Sequence, residues 1–212
     1  MDIKISRVEE GQLRAQVESR DDFEALRIRR YLGMPDLSRT PGNPLYELVE
    51  RIRSIPDFRS YDTIEVPEIM GTNVVFDLFN FPADHPARSK SDSYFVDDAH
   101  VLRTHTTVMW HYWLQQESVR KQINEGTAVG ALSWGKVYRK DEIDRKHMNV
   151  FHQIDGWYLA RKEEKLITIE DLKKVLSDIA KAAFGPDVKY RFNTDTFPYT
   201  DPSLEMEIDK DG

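Results

Sequence analysis

The sequence predicts an α+β fold, with helices packed on one face of a largely antiparallel sheet. Three observations carry this. Apolar residues recur at helical spacing in 45–55 and 168–183. Short apolar or alternating runs at 63–69, 93–96, 128–139, 150–160, 188–192 and 203–208 read as strands. Nothing in their order suggests long parallel crossovers.

Residues 8–32 read as one charge-rich helix, with Leu26, Ile28 and Leu32 towards its end. A solvated helix or arm is the simplest reading of so polar a stretch. Gly33, Pro35 and SRTPGNP (38–44) then punctuate the chain. In LYELVERIRSI (45–55), Leu45, Leu48, Val49 and Ile52 fall on one helix face, with Pro56 just beyond. TIEVPEI (63–69) is a short strand interrupted by Pro67, which suits an edge or an interface. VVFDLFNF (74–81) reads as strand or extended chain, DHPAR (84–88) as a turn, and SYFV (93–96) as a short strand. A single helix is expected from about Thr106 to Asn124, stopping at Gly126.

AVGALSWGKVYR (128–139) and VFHQIDGWYLA (150–160) read as strands paired across a long charged loop. Thr168 and Asp171 form an N-terminal capping signal for a helix whose apolar face carries Leu172, Val175, Leu176, Ile179 and Ala183. Gly185–Pro186 ends it. VKYRF (188–192) and SLEMEI (203–208) follow as strands. DKDG (209–212) has hairpin-turn chemistry but no second strand after it. The strand at 203–208 is therefore expected to be an edge lacking its partner, in a sheet incomplete at the C-terminus.

Composition narrows the function. The chain has 212 residues, 40% apolar and 32% charged, as befits one sizeable domain. A net charge of −7 gives no support to general nucleic-acid affinity. With no cysteine, disulfides and thiolate zinc sites are excluded. The six histidines show neither HExxH nor zincin spacing, so a metal site built from them is not expected. No P-loop, G-x-S-x-G or G-x-G-x-x-G occurs. No apolar run reaches membrane-span length and MDIKISRVEE is unlike a signal peptide, so a cytoplasmic location is the default.

Polar residues inside the paired strands ask for an explanation. Strand alternation puts Phe151, Gln153, Asp155 and Trp157 on one face, while Arg139 and Asp141 share a face at the end of the preceding strand. If the two faces coincide, a guanidinium could hold a phosphate and a carboxylate could hold an ammonium beside an aromatic wall. A solvated sheet surface with a chance ion pair is the competing reading. RTHTT (103–107) could bind an anion at a helix start or simply cap it. TFPYTDP (196–202) could wall a flat pocket with Phe197 and Tyr199 or form a packed turn.

Taken together, these stretches resemble the catalytic α subunit of phenylalanyl-tRNA synthetases, a class II aminoacyl-tRNA synthetase family. The likeness runs in order from about residue 23 to the C-terminus. FEALRIRRYLG (23–33) resembles the end of the family's helical arm, and LYELVERIRSI through VPEI its motif 1. FDLFNFPADHPAR (76–88), VLRTHTT (101–107) and TFPYTDPSLEMEI (196–208) are similar to family hallmarks, and GKVYRKDEIDRKHMNVFHQIDGW (135–157) to motif 2. The implied layout is a short N-terminal helical arm over 1–35 and a partial catalytic core over 36–212. The resemblance implies catalytic and ATP-phosphate roles for Arg139 and His147, with Asp141 also on the ATP side. It assigns the amino acid to His105, Thr107, Gln153 and Asp155, with Phe197 and Tyr199 forming an edge-to-face wall for the substrate ring. Phe95 stands where many members have tryptophan and Trp110 where they have glutamine. Asp155 and Asp141 stand for glutamates, and Tyr199 adds a hydroxyl to the wall.

The implied reaction is ATP- and Mg²⁺-dependent activation of phenylalanine and its transfer to tRNA(Phe), by a ligase working with a β subunit as an α₂β₂ assembly. The glycine-rich motif 3 is not found before Gly212. A C-terminally truncated subunit with little adenylation activity alone is therefore expected. A paralogue acting on another amino acid or small molecule, or a non-catalytic binding module, are the alternatives.

Overall fold

A computed structural model describes residues 1–145, 147–197 and 199–209. The chain opens with strand β1 (Asp2–Lys4) and two helices, α1 (Val8–Glu18) and α2 (Phe23–Leu32). The one helix expected over 8–32 is broken because Asp22 starts a new one, its carboxylate accepting the Ala25 N–H at 3.0 Å. Nor is this pair merely solvated: Leu13, Val17, Ala25 and Ile28 are buried.

Asn43 caps α3 (Pro44–Arg53), and Pro44 suits the first helical turn. The run expected as one strand over 63–69 divides at Pro67 into β2 (Asp62–Glu65) and β3 (Ile69–Gly71), which join different sheets. The 74–81 run is not extended. It forms α4 (Thr72–Val75) and a 3-10 turn over Asp77–Phe79, closed by Asn80 at φ 55°. Val74, Val75, Phe76 and Phe79 are buried while Asp77, Leu78 and Asn80 are exposed, a spacing that helical turns give and strand alternation does not. Strand β4 (His100–Leu102) pairs with β3, and SYFV contributes only a bridge from Phe95 to Val101.

The single helix expected over 106–124 is a 3-10 turn (Thr106–Val108), then α5 (Met109–Trp113) and α6 (Glu117–Asn124). The Arg120 guanidinium donates to the Leu114 carbonyl at the break, 2.9 Å away. Next come β5 (Val129–Tyr138), β6 (Val150–Leu159) and α7 (Ile169–Phe184), which carries the expected capping box between Thr168 and Asp171. Finally, β7 (Lys189–Phe197) and β8 (Thr200–Asp209) form an antiparallel hairpin. β8 pairs with β7 on one side, and its other edge has no partner strand among the described residues, as expected of 203–208. The DKDG turn lies, from Lys210 on, outside the described residues.

The main sheet has the order β1-β2-β5-β6. Its β5–β6 pair is antiparallel, from Val129↔Leu159 to Tyr138↔Val150. Against expectation, β1–β2 and β2–β5 are parallel. Intervening helices supply the long connections that parallel pairing needs. On the back face of β5 and β6, Leu132, Trp134 and Ile154 pack on Val49 and Ile52 of α3 and Val175 and Ile179 of α7. At the other end of that face, Tyr138 packs with α1 and α2 through Val17 and Ile28. On the front, Ala131 and Trp157 meet Val75, Phe76, Phe79, Met109 and Trp113. Clamped this way, β5 and β6 form a rigid floor.

Candidate active site

Front-face side chains of β6 meet the segment that leads into α5. The Gln153 carboxamide oxygen accepts the Thr106 N–H at 3.2 Å. The Thr107 hydroxyl donates to Asp155 Oδ2 at 2.5 Å. Just past the end of β5, Arg139 donates from Nε to the Thr104 carbonyl at 3.1 Å, its guanidinium 5.2 Å from the centre of the Phe151 ring. One short stretch, Thr104–Thr107, thus ties together Arg139, Gln153 and Asp155. Of the two sets that strand alternation left undecided, Gln153 and Asp155 are joined by Arg139 but not by Asp141.

Burial tunes this group. It pushes the Asp155 carboxyl above the ordinary carboxylate range, against the opposing effects of the Thr107 hydroxyl and the Gly156 N–H. Ser133 lies opposite Asp155 in the β5–β6 register. Its buried hydroxyl and that of Thr106 have no hydrogen-bond partner among the described residues. His105 is neutral near pH 7: burial brings its pKa down to about 4, outweighing the hydrogen bond between Nε2 and the Val75 carbonyl, 3.2 Å away.

Aromatic rings enclose one side. Phe79 meets His105 edge-on at 4.5 Å, Trp110 at 5.9 Å and Tyr199 at 5.3 Å between centroids. Trp110 stacks on Trp157 at 5.7 Å, and Phe81 lies 5.9 Å from Tyr199. Phe197 and Tyr199 stand together on this side. These two rings lie nearly parallel, 26° apart at 5.9 Å, and the edge-to-face contact is Tyr199 on Phe79.

Three other predicted residues lie off this cluster. His147 is exposed and bonded within its own loop, its Nδ1 2.9 Å from Asp144 Oδ1. Asp141 lines a separate cavity of about 610 Å³ beside Arg27, Arg30 and Lys140. The alternation that pairs it with Arg139 ends with β5 at Tyr138. Phe95 packs against the front core at its bridge to Val101. Conversely, Phe79, Phe81, Trp157, Thr104 and Thr106 join the site without having been assigned a role in it. Their signal was membership of the quoted motifs; the contacts themselves span the fold.

Comparison with known proteins agrees with this architecture. The family profile of tRNA synthetases class II core domain (F) matches residues 32–211. Proteins named phenylalanine–tRNA ligase alpha subunit are similar. That of Caldicellulosiruptor saccharolyticus is 36% identical over 70% of this chain and 40% of its own length. That of Clostridium acetobutylicum is 33% identical over 84% and 49%, and that of Moorella thermoacetica 32% over 92% and 55%. The chain spans about half the length of these curated relatives. Among solved structures, pyrrolysyl-tRNA synthetase from Desulfitobacterium hafniense shares the fold, with a TM-score of 0.56 at 16% identity over 95% of this chain and 63% of that one. By fold, by motif order and by family profile, this chain belongs to the class II tRNA synthetase core domain (F) family.

Proposed function

We propose that the chain is catalytic α-subunit sequence of a phenylalanine–tRNA ligase, which activates phenylalanine with ATP and transfers it to tRNA(Phe). The observation that carries this reading is the convergence of Arg139, Gln153 and Asp155 on Thr104–Thr107 beneath an aromatic wall. Asp155 is a buried carboxylate suited to the amino acid's ammonium, and that cation would lower its raised pKa. The unpartnered hydroxyls of Ser133 and Thr106 suit a polar ligand group, while Phe79 and Tyr199 offer edge and face to an aromatic ring. Neutral His105 places no competing positive charge beside the ammonium.

In this reading the substrate carboxylate attacks the α-phosphorus of ATP. A bond forms between a carboxylate oxygen and the α-phosphorus, and the bond from that phosphorus to the pyrophosphate oxygen breaks. The nucleophile is already ionised, so positioning and charge neutralisation by Arg139 dominate. A 3′-terminal ribose hydroxyl of the tRNA then takes the acyl group and AMP leaves. Among the described residues no three acidic or imidazole groups converge as a metal cage. A Mg²⁺ ion would accompany the ATP phosphates, and no step is derived through it. His147 and Asp141 belong to the ATP side of this reading only through resemblance. Relatives named alpha subunit support a β-subunit partner. No helix among the described residues is long and apolar enough to cross a membrane, and a cytoplasmic site of action suits translation.

Calorimetric titration of the 212-residue protein with a non-hydrolysable phenylalanyl-adenylate analogue tests the reading. It should bind tighter than analogues carrying other side chains, and Asp155→Asn should weaken it at least tenfold. Preference for a different side chain, or no binding, overturns it.

A further inference from the structure

At the end of β5 lies a buried cation that the proposed chemistry does not use. Arg103 is 3% exposed, and its guanidinium ends entirely on backbone carbonyls. Nε and Nη2 donate to the Lys136 carbonyl at 3.1 and 2.7 Å, and Nη1 to the Val66 carbonyl at 2.8 Å. Its main chain continues the pattern: Arg103 N–H donates to the Glu68 carbonyl, and the Arg103 carbonyl accepts the Tyr138 N–H. One residue thus ties the corner after β2 to the last turn of pleat in β5. The next carbonyl along, that of Thr104, holds Arg139.

Gly135 makes room for this tie. Its φ is 150°, and a Cβ there would stand 2.8 Å from Arg103 Nη2 and 3.1 Å from Asp36 Oδ2. Glycine in the GKVYR run is therefore set by the guanidinium passing over it. The charge is balanced nearby. Glu68 faces Lys136 at 3.1 Å and Arg14 at 2.8 Å and accepts from the Tyr138 hydroxyl at 2.5 Å. Lys136 in turn caps the end of α2 through the carbonyls of Leu32 and Met34.

We infer that Arg103 is a positioning residue: by locking Thr104 to the end of β5 across Gly135, it fixes where the Arg139 guanidinium sits. The positioning is a property of the fold alone. Its consequence for ligand binding rests on the reading of Arg139 as the phosphate-contacting group.

Nitrogen-detected NMR of arginine side chains in the full 212-residue chain separates the two. The Arg139 Nε–H, assigned by its loss in Arg139→Lys, should exchange with water at least fivefold faster in Gly135→Ala and in Arg103→Lys. The Trp113 indole N–H, bonded to Asp62 at 2.9 Å elsewhere in the core, should keep its rate. Unchanged Arg139 exchange in Gly135→Ala, or equal loss of protection at both groups, overturns the inference. With the phenylalanyl-adenylate analogue, Gly135→Ala should cost about tenfold in affinity in the wild-type background and nothing further in Arg139→Ala. Additive losses overturn the route through Arg139. If the analogue fails to bind the unaltered chain, the functional reading falls while the exchange result still decides the positioning.

Discussion

β5 and β8 are both ten-residue strands paired to antiparallel neighbours, yet every residue of β5 is buried and none of β8 is. What differs is cover. β5 has helices across its back and the α4–α5 region on its front, whereas β8 lies in a two-stranded sheet of its own. The difference decides what a charged side chain must do. In β5, Lys136 finds Glu68 and a ring of backbone carbonyls at the end of α2. In the hairpin, Arg191 simply faces Glu207 across the strands, with most of its surface in water. A buried charge must be matched on every side, and a solvated one need not be.

The largest test removes a counter-charge from the covered region. Burial alone would raise the Glu68 carboxyl, but the Tyr138 hydroxyl, Lys136 and Arg14 outweigh it and hold its pKa below the usual range. Glu68→Gln leaves Lys136 and Arg103 buried without their anion. Urea unfolding should show a loss of about 3–5 kcal/mol, the cost of breaking a buried pair from one side. A loss below about 1 kcal/mol would place Glu68 with the solvated pairs and erase the distinction.

A second test uses acid. His105 titrates near 6.5 when unfolded and at about 4 when folded. The unfolded chain therefore takes up the proton first as pH drops. The associated stability is complete above pH 6.5 and drains away as pH falls towards 4, by about 3 kcal/mol in all. His105→Gln, which keeps a donor for the Val75 carbonyl, should flatten that part of the pH–stability curve. An unchanged slope between pH 6.5 and 4 would mean that another group carries it.

The same division separates what could be read in the sequence from what could not. The α7 cap is local, Thr168 to Asp171, and it was legible. So was the β5–β6 pairing, since both runs are long and joined by one loop. The break at Asp22 was missed because charge-rich helical sequence continues on both sides of it. The 74–81 run was misread because so short and mostly apolar a stretch does not reveal its period: Val74–Phe76 and Phe79 are buried, while Asp77, Leu78 and Asn80 are exposed. At the site, the residue types came from resemblance and the mutual arrangement from the fold. Thr107 and Asp155 are 48 residues apart, and no pattern along the chain says that they touch. Gly135 is clearest of all: its reason is a guanidinium 32 positions earlier in the chain, visible only in three dimensions.

The smallest effect belongs to the hairpin. Arg191 and Glu207 are directly opposed in register, 2.5 Å apart at their nearest atoms, with side chains 73% and 45% exposed. Short contact alone would suggest a strong pair. Exposure argues otherwise, because water screens both charges and two long side chains lose freedom in meeting. Arg191→Ala should shift unfolding by about 0.5 kcal/mol or less, and about 0.5 M salt should remove even that. Thermal unfolding at low and high salt gives the answer. A salt-insensitive loss well above 1 kcal/mol would mean that water does not reach this pair in solution. Something would then cover the hairpin as the helices cover β5, and the contrast between the two strands would lie in what is bound rather than in how the chain folds.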